Sequence, residues 1–162
     1  RAEVRSLSHY LQQPQGRVFQ YTCDAALGDA RCGVNLAAAQ YRATISVISV
    51  IDERRIRAAG TEGLESGWYT GGLLRFGGGT NAVDVRDIKQ HQIVGLSAPV
   101  HEFERWEPPT HPVSPGATAT VTAGCDKHLN TCNDKFSNGT RFRGFPFMPG
   151  NDFLTRVASR RG

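Results

Sequence analysis

No apolar run in the 162-residue chain approaches the length a membrane-crossing helix needs. A spanning α-helix is therefore excluded, and no charged-then-apolar leader opens the chain. Lysine is scarce. Lys89, Lys127 and Lys135 are the only three, and every other basic residue is arginine. The formal charge is +4, and its carriers are dispersed, apart from one small group at Arg156, Arg160 and Arg161. Nucleic-acid-binding domains gather such charge into a stripe. The dispersal argues for a solvated basic surface and against direct nucleic-acid binding. Cysteine is sparse too, at four residues, far below the density of small secreted disulfide scaffolds. The hydrolase and metalloprotease signatures G-x-S-x-G and H-E-x-x-H are missing. The glycine runs Gly71-Gly72 and Gly77-Gly78-Gly79 lack the Lys-Ser/Thr that completes a phosphate loop, which leaves them as turns or bulges. No internal repeat of solenoid length is present.

What is present describes one folded domain over residues 1–162. Apolar residues make up 39% and charged residues 21%, a globular balance on a chain long enough to bury its own core. The chain opens at Arg1 directly into a helix-like pattern over Ala2–Gln13, which predicts the C-terminal part of a longer protein. Pro14 and Gly16 stop that helix. Residues 17–22 alternate as a strand, and residues 24–35 form a loop with one helical turn at 24–27.

Tyr41–Ile51 is β-branched and alternating, a clear strand. Ile56–Ala59 returns after a polar turn. Trp68–Phe76 reads as a strand interrupted at Gly71-Gly72, where a bulge or a close backbone approach is expected. Residues 82–90 and 92–96 read as two further strands that pair, and Val100–Trp106 as another. Four prolines make Glu107–Gly116 an extended loop. Ala117–Ala123 is the last strand and delivers Cys125. His128–Phe136 forms a short helix carrying Cys132, and a terminal helix begins at Asp152-Phe153-Leu154. Short strands at this spacing predict a mostly β fold, an antiparallel sandwich or barrel-like sheet with an N-terminal helix and an irregular C-terminal segment.

The cysteines fall in two loops, Cys23 with Cys32 and Cys125 with Cys132. Four thiolates satisfy tetrahedral zinc or an iron–sulfur cluster. The wide spacings within each pair suit a cluster better than the short knuckles of a single zinc. Spacing alone leaves metal or cluster ligation, disulfides and unrelated buried thiols equally open. Arg31, Lys127 and His128 beside them would stabilise an anionic centre, or are ordinary surface charge. His101 and His111 read as packed or surface histidines, and Trp68 and Trp106 as core or interface anchors. Asn138-Gly139-Thr140 is first a turn. Phe145 is expected to cover the cysteine centre and keep it dry.

Several stretches together carry a resemblance. They are Cys23–Cys32 (CDAALGDARC), Ala123-Gly124-Cys125-Asp126-Lys127, Thr131-Cys132, Lys135-Phe136, Asn138, Phe142-Arg143-Gly144-Phe145-Pro146 and Pro149-Gly150, with Gln13-Pro14, Arg17-Val18-Phe19 and Gly67-Trp68 upstream. The chain resembles the C-terminal domain of the tail-hub proteins of siphophages and gene transfer agents, over nearly its whole length. It is similar as well to the cysteine-bearing C-terminal region of tail-tip protein L of phage lambda.

The resemblance implies a non-enzymatic, structural component of the virion tail tip, assembled in the bacterial cytoplasm and carried on the extracellular particle. It implies a homotrimeric hub ring between the distal tail protein and the tip or fibre (megatron-like) proteins, with no small-molecule substrate and transient proximity to the host envelope. It implies a [4Fe-4S] cluster on Cys23, Cys32, Cys125 and Cys132 that staples loops 23–32 and 125–132 together and rigidifies the domain, with zinc as the alternative. The competing readings are a tail-tip redox or cell-wall-hydrolysing enzyme, and a zinc- or disulfide-stabilised host-adhesion module.

Overall fold

A computed structural model of the chain describes residue 16 and residues 19–61, 63–82, 84–95 and 100–148. The helix expected over Ala2–Gln13, the first two residues of the strand expected at 17–22, Pro149-Gly150 and the helix start at Asp152 lie outside the described residues.

Six strands form the body: β1 (Arg42–Val50), β2 (Arg55–Ala59), β3 (Leu73–Phe76), β4 (Val85–Val94), β5 (Val100–Arg105) and β6 (Thr118–Thr122). Every neighbouring pair is antiparallel, and the order β1-β2-β5-β4-β3-β6 closes on itself because β6 pairs with both β3 and β1. Of the two architectures the alternation allowed, the barrel is the one adopted. The pleat explains which residues fill it. In β1, Ile45 and Val47 point inward and Thr44 and Ser46 outward. Ile56, Ala58, Tyr69, Leu74, Phe76, Ile88, Phe103, Ala119 and Val121 complete one core. Each large apolar side chain among them adds about 1.5–3 kcal/mol by leaving water.

Four expectations are corrected. Residues 82–96 hold no paired strands of their own. β4 runs unbroken from Val85 to Val94, with a register shift between Ile88 and Gln90 against β5. That bulge brings both Ile88 and His91 inside, three residues apart. The reversed alternation looks like a strand end in sequence. Residues 68–72 are turns rather than strand, and β3 begins only at Leu73. Described residues 19–22 are not strand, and 24–27 make no helical turn.

The register defines two ends. At one end β1 begins, β6 finishes and β3 begins, with Arg42 opposite Thr122 and Leu74 opposite Val121. At the other end β1 finishes, β2 begins and β5 finishes, with Val50 opposite Ile56 and Arg55 opposite Glu104. The chain enters β1 and leaves β6 at the first end, so both cysteine loops hang from the same rim.

Candidate functional site

The two cysteine loops meet there. Ala123 N–H donates to Tyr41 O at 2.7 Å and so extends the β1–β6 ladder one step past the barrel. Beyond it the chain runs through Gly124 and Cys125 to the short helix α1 (Leu129–Asp134), which carries Cys132. Ala25, Cys32, Val34, Tyr41, Ala123, Cys132 and Phe136 are buried, and Cys23 and Cys125 are half-buried beside them. All of these but Cys132 form a second core, distinct from the barrel's.

Cys23, Cys32, Cys125 and Cys132 line one cavity, with Lys127, Phe136, Asn138 and Phe142. The four sulfurs are neither scattered nor bonded in pairs; all four thiols are free. Their mutual proximity is electrostatic as well as spatial. Burial first, and then the thiolates of Cys125, Cys23 and Cys32, push the Cys132 thiol up to about 11. Burial also raises Cys125, opposed by the Lys127 amide N–H. Four thiolates cannot be held here without a positive group between or beside them.

Local backbone choices bind the loops together. Lys127 has φ 67°, the left-handed region, which costs a non-glycine residue about 1 kcal/mol or more. Three contacts accompany that geometry. Lys127 N–H donates to Cys125 Sγ at 3.4 Å, its carbonyl accepts the Cys23 N–H at 2.9 Å, and its ammonium reaches Ala25 O at 2.5 Å. Ser137, at φ 48°, turns the chain after α1 so that Asn138 N–H meets Cys132 O at 2.9 Å. The Cys132 thiol donates back to Asn138 O at 3.3 Å, and the Asn138 amide reaches Cys32 O at 2.8 Å and Cys32 Sγ at 3.8 Å. Asp29 accepts the Cys32 N–H at 2.7 Å, which first among several contacts lowers its carboxyl pKa. Arg143 pairs with Asp24 at 3.0 Å and closes the outer side.

Lys135 is a half-buried cation at the site. It donates to Trp68 O and, at 2.8 Å, to Gly124 O, and lies 4.7 Å from the Trp68 ring. Burial lowers its pKa to about 8, while Cys125 acts to raise it. The basic residues named from sequence beside the cysteines divide by role. Arg31 is exposed and paired with Asp29 at 3.0 Å, Lys127 ties the loops, and His128 packs against the Tyr21 ring with centroids 5.5 Å apart. Lys135, not singled out for that part in sequence, carries charge beneath Gly124.

The aromatic expectation needs correction. Phe136 and Phe142 line the cysteine cavity. Phe145 instead packs at a tilt against Phe19, with centroids 4.6 Å apart, and its N–H donates to Gln20 O. Phe147 stands almost fully in solvent. Trp106 is exposed while its neighbour Arg105 takes the interior, and Trp68 packs against both cores. His101 is buried and stacks on His91, an inward pair that no sequence signal marked.

The donor set fits a thiophilic group: free, soft sulfurs on one cavity, with N–H donors aimed at two of them. The void itself is about 20 Å³, and among the described residues no group of three or more His, Cys, Asp or Glu is spaced to hold a metal ion. Receiving a multi-atom cluster therefore requires the loops to part.

Comparison with known proteins adds three findings. Residues 67–152 match a family described as phage conserved hypothetical protein BR0599. Residues 1–35 match a baseplate hub protein, N-terminal attachment domain. Among solved structures, a chain of the "virion of native gene transfer agent (GTA) particle" is similar at 30% identity and a TM-score of 0.74, over 98% of this chain and 53% of that one. The chain thus spans about half the length of that relative. No curated protein matches.

Proposed function

The chain belongs to the family of phage conserved hypothetical protein BR0599, and from that membership we propose that it is a structural, non-catalytic component of a tailed particle's baseplate hub, in which four cysteines hold an iron–sulfur cluster. The virion relative and the hub attachment-domain match support the hub reading. The convergence of Cys23, Cys32, Cys125 and Cys132 on one cavity is the observation that carries the cluster. In the assembled tail the hub is a homotrimeric ring, joined on one side to the distal tail protein and on the other to tip or fibre proteins. The relation to tail-tip protein L of phage lambda rests on its cysteine-bearing C-terminal region and belongs to the same reading.

A [4Fe-4S] centre supplies four metal–sulfur links between loops that are distant in sequence. Cys23 and Cys32 anchor one loop, Cys125 and Cys132 the other, and Lys127 N–H and the Asn138 amide donate toward sulfur. By analogy with a disulfide, closing a loop of about 100 residues contributes roughly 4–5 kcal/mol, in addition to ligation itself. Such a tie suits a part that must stay rigid while DNA leaves the particle.

The test is metal and acid-labile sulfide content of protein purified without oxygen, beside the Cys125→Ser variant. The expected result is a brown protein with iron and sulfide in equal amounts, and a colourless variant melting about 10 °C lower. One equivalent of zinc and no colour would replace the cluster by a zinc-stabilised module. Metal-free protein whose four thiols resist alkylation would replace it by disulfides. An unchanged spectrum and melting point in Cys125→Ser would end the proposal.

A further inference from the structure

At the barrel end opposite the cysteines lies a cavity of about 350 Å³, between the β1–β2 turn and the proline-rich loop. Val50, Pro108, Pro109, Pro112 and Val113 give it apolar walls, and Arg105 lines it. Arg105 is 1% exposed. Its Nε donates to Arg54 O at 3.2 Å and one Nη2 proton donates to Glu53 O at 3.0 Å. Nη1 is buried and has no partner. Among the described residues no carboxylate forms an ion pair with Arg105. Asp84 is paired with Arg86 at 2.9 Å, and Asp52 with Arg55 at 2.6 Å.

A buried guanidinium without a carboxylate partner is expensive to keep. Burial lowers the Arg105 pKa to about 10, against the charges of Asp84 and Asp52, which act to raise it. The walls are built to stay in place. Thr110 N–H donates to Asp84 at 2.8 Å, and His111 exchanges two hydrogen bonds with Asn81 at 3.0 and 2.9 Å. Gly116 N–H donates to Val47 O at 2.7 Å. A fixed, apolar-walled recess with one unmatched buried donor is the general form of a ligand site.

We propose that this recess is a binding site for a carboxylate carried on an aliphatic stem, with Arg105 as the group that recognises it. Nη1 lies beneath the surface, so a small shift of the guanidinium brings it to the carboxylate, which accepts from it as guanidinium–carboxylate pairs do, and the stem lies against the prolines and valines. Asp52 does not compete, because Arg55 and the amide N–H groups of Arg54 and Arg55 already satisfy it. Glu53 is exposed at the rim and opposes entry of the anion.

The experiment is titration of the full chain, followed by amide chemical shifts, with pentanoate and pentanamide and with acetyl-Val-Glu-Val-amide and acetyl-Val-Gln-Val-amide. Each acid is expected to bind about tenfold or more tightly than its amide counterpart, the discrimination of a charge-assisted pair. Arg105→Gln should erase that difference, and Glu53→Gln should tighten both acids. Val50→Trp, at a half-exposed strand end, should fill the recess and weaken both about tenfold, so the proposal stays testable if Arg105→Gln does not fold. Tighter binding of the peptide assigns the site to a polypeptide partner, and tighter binding of pentanoate to a free acid. Equal affinity for acid and amide, or binding of neither acid, overturns the proposal and leaves Nη1 to a buried water.

Discussion

His91 sits inside the barrel at 2% exposure, edge-on to Tyr69, stacked on His101, with its Nε2 2.9 Å from His101 Nδ1. Tyr69 N–H reaches its Nδ1 at 3.5 Å, which makes Nε2 the donor toward His101. Burial, then His101 and Lys135, lower the His91 pKa from 6.5 to about 4. The unfolded chain takes up this proton as pH falls through 6.5, whereas the folded chain refuses it until about 4. Stability from this residue is therefore complete above pH 6.5 and lost progressively down to pH 4, by up to about 3 kcal/mol. Melting temperatures measured across that window should fall with acid in the native protein and much less in His91→Gln. An equal fall in the variant would place the acid lability elsewhere.

At the scale of elements, the cysteine rim depends on one close backbone crossing. A Cβ on Gly124 would lie 1.9 Å from Thr70 O, and one on Gly72 would lie 2.0 Å from Thr122 O. Both obstacles are backbone, so the segments must separate to admit a methyl group. Gly124→Ala is expected to cost about 3 kcal/mol in chemical denaturation, and to loosen the Lys135 contact to Gly124 O. A cost below 1 kcal/mol would show the crossing to be soft.

The close approach at Gly71-Gly72 was legible in sequence, as were β1, β5, the proline loop and the short helix, because each rests on local signals: alternation, glycine, proline. Elements set by tertiary pairing were not. β4 hides its bulge because a phase reversal and a strand end look alike, and residues 68–72 carry strand-like Trp and Tyr in a turn. The position of Arg105 needed the register. Val100–Trp106 offers two faces of mixed polarity, and only pairing with β4 decides that His101, Phe103 and Arg105 face inward. The four cysteines were legible as a set, but the parts played by Lys127 and Asn138 were not, since those depend on backbone angles.

For the molecule as a whole, two cores stand end to end and share chiefly Trp68. The barrel core draws nothing from the cysteine loops, so the two should separate on perturbation. In Cys132→Ser, amide hydrogen exchange is expected to quicken over residues 23–36 and 125–142, while Ile45, Val47 and Phe103 keep their protection. Uniform loss of protection would mean that the cysteine end holds the barrel together.

The pairing of β6 with both β1 and β3 leaves no strand of the barrel with an open side. The barrel strands therefore offer no edge on which a second copy could add a strand, the route by which sheet proteins form fibres. Any contact the barrel makes with a neighbour therefore runs through its side chains and loops.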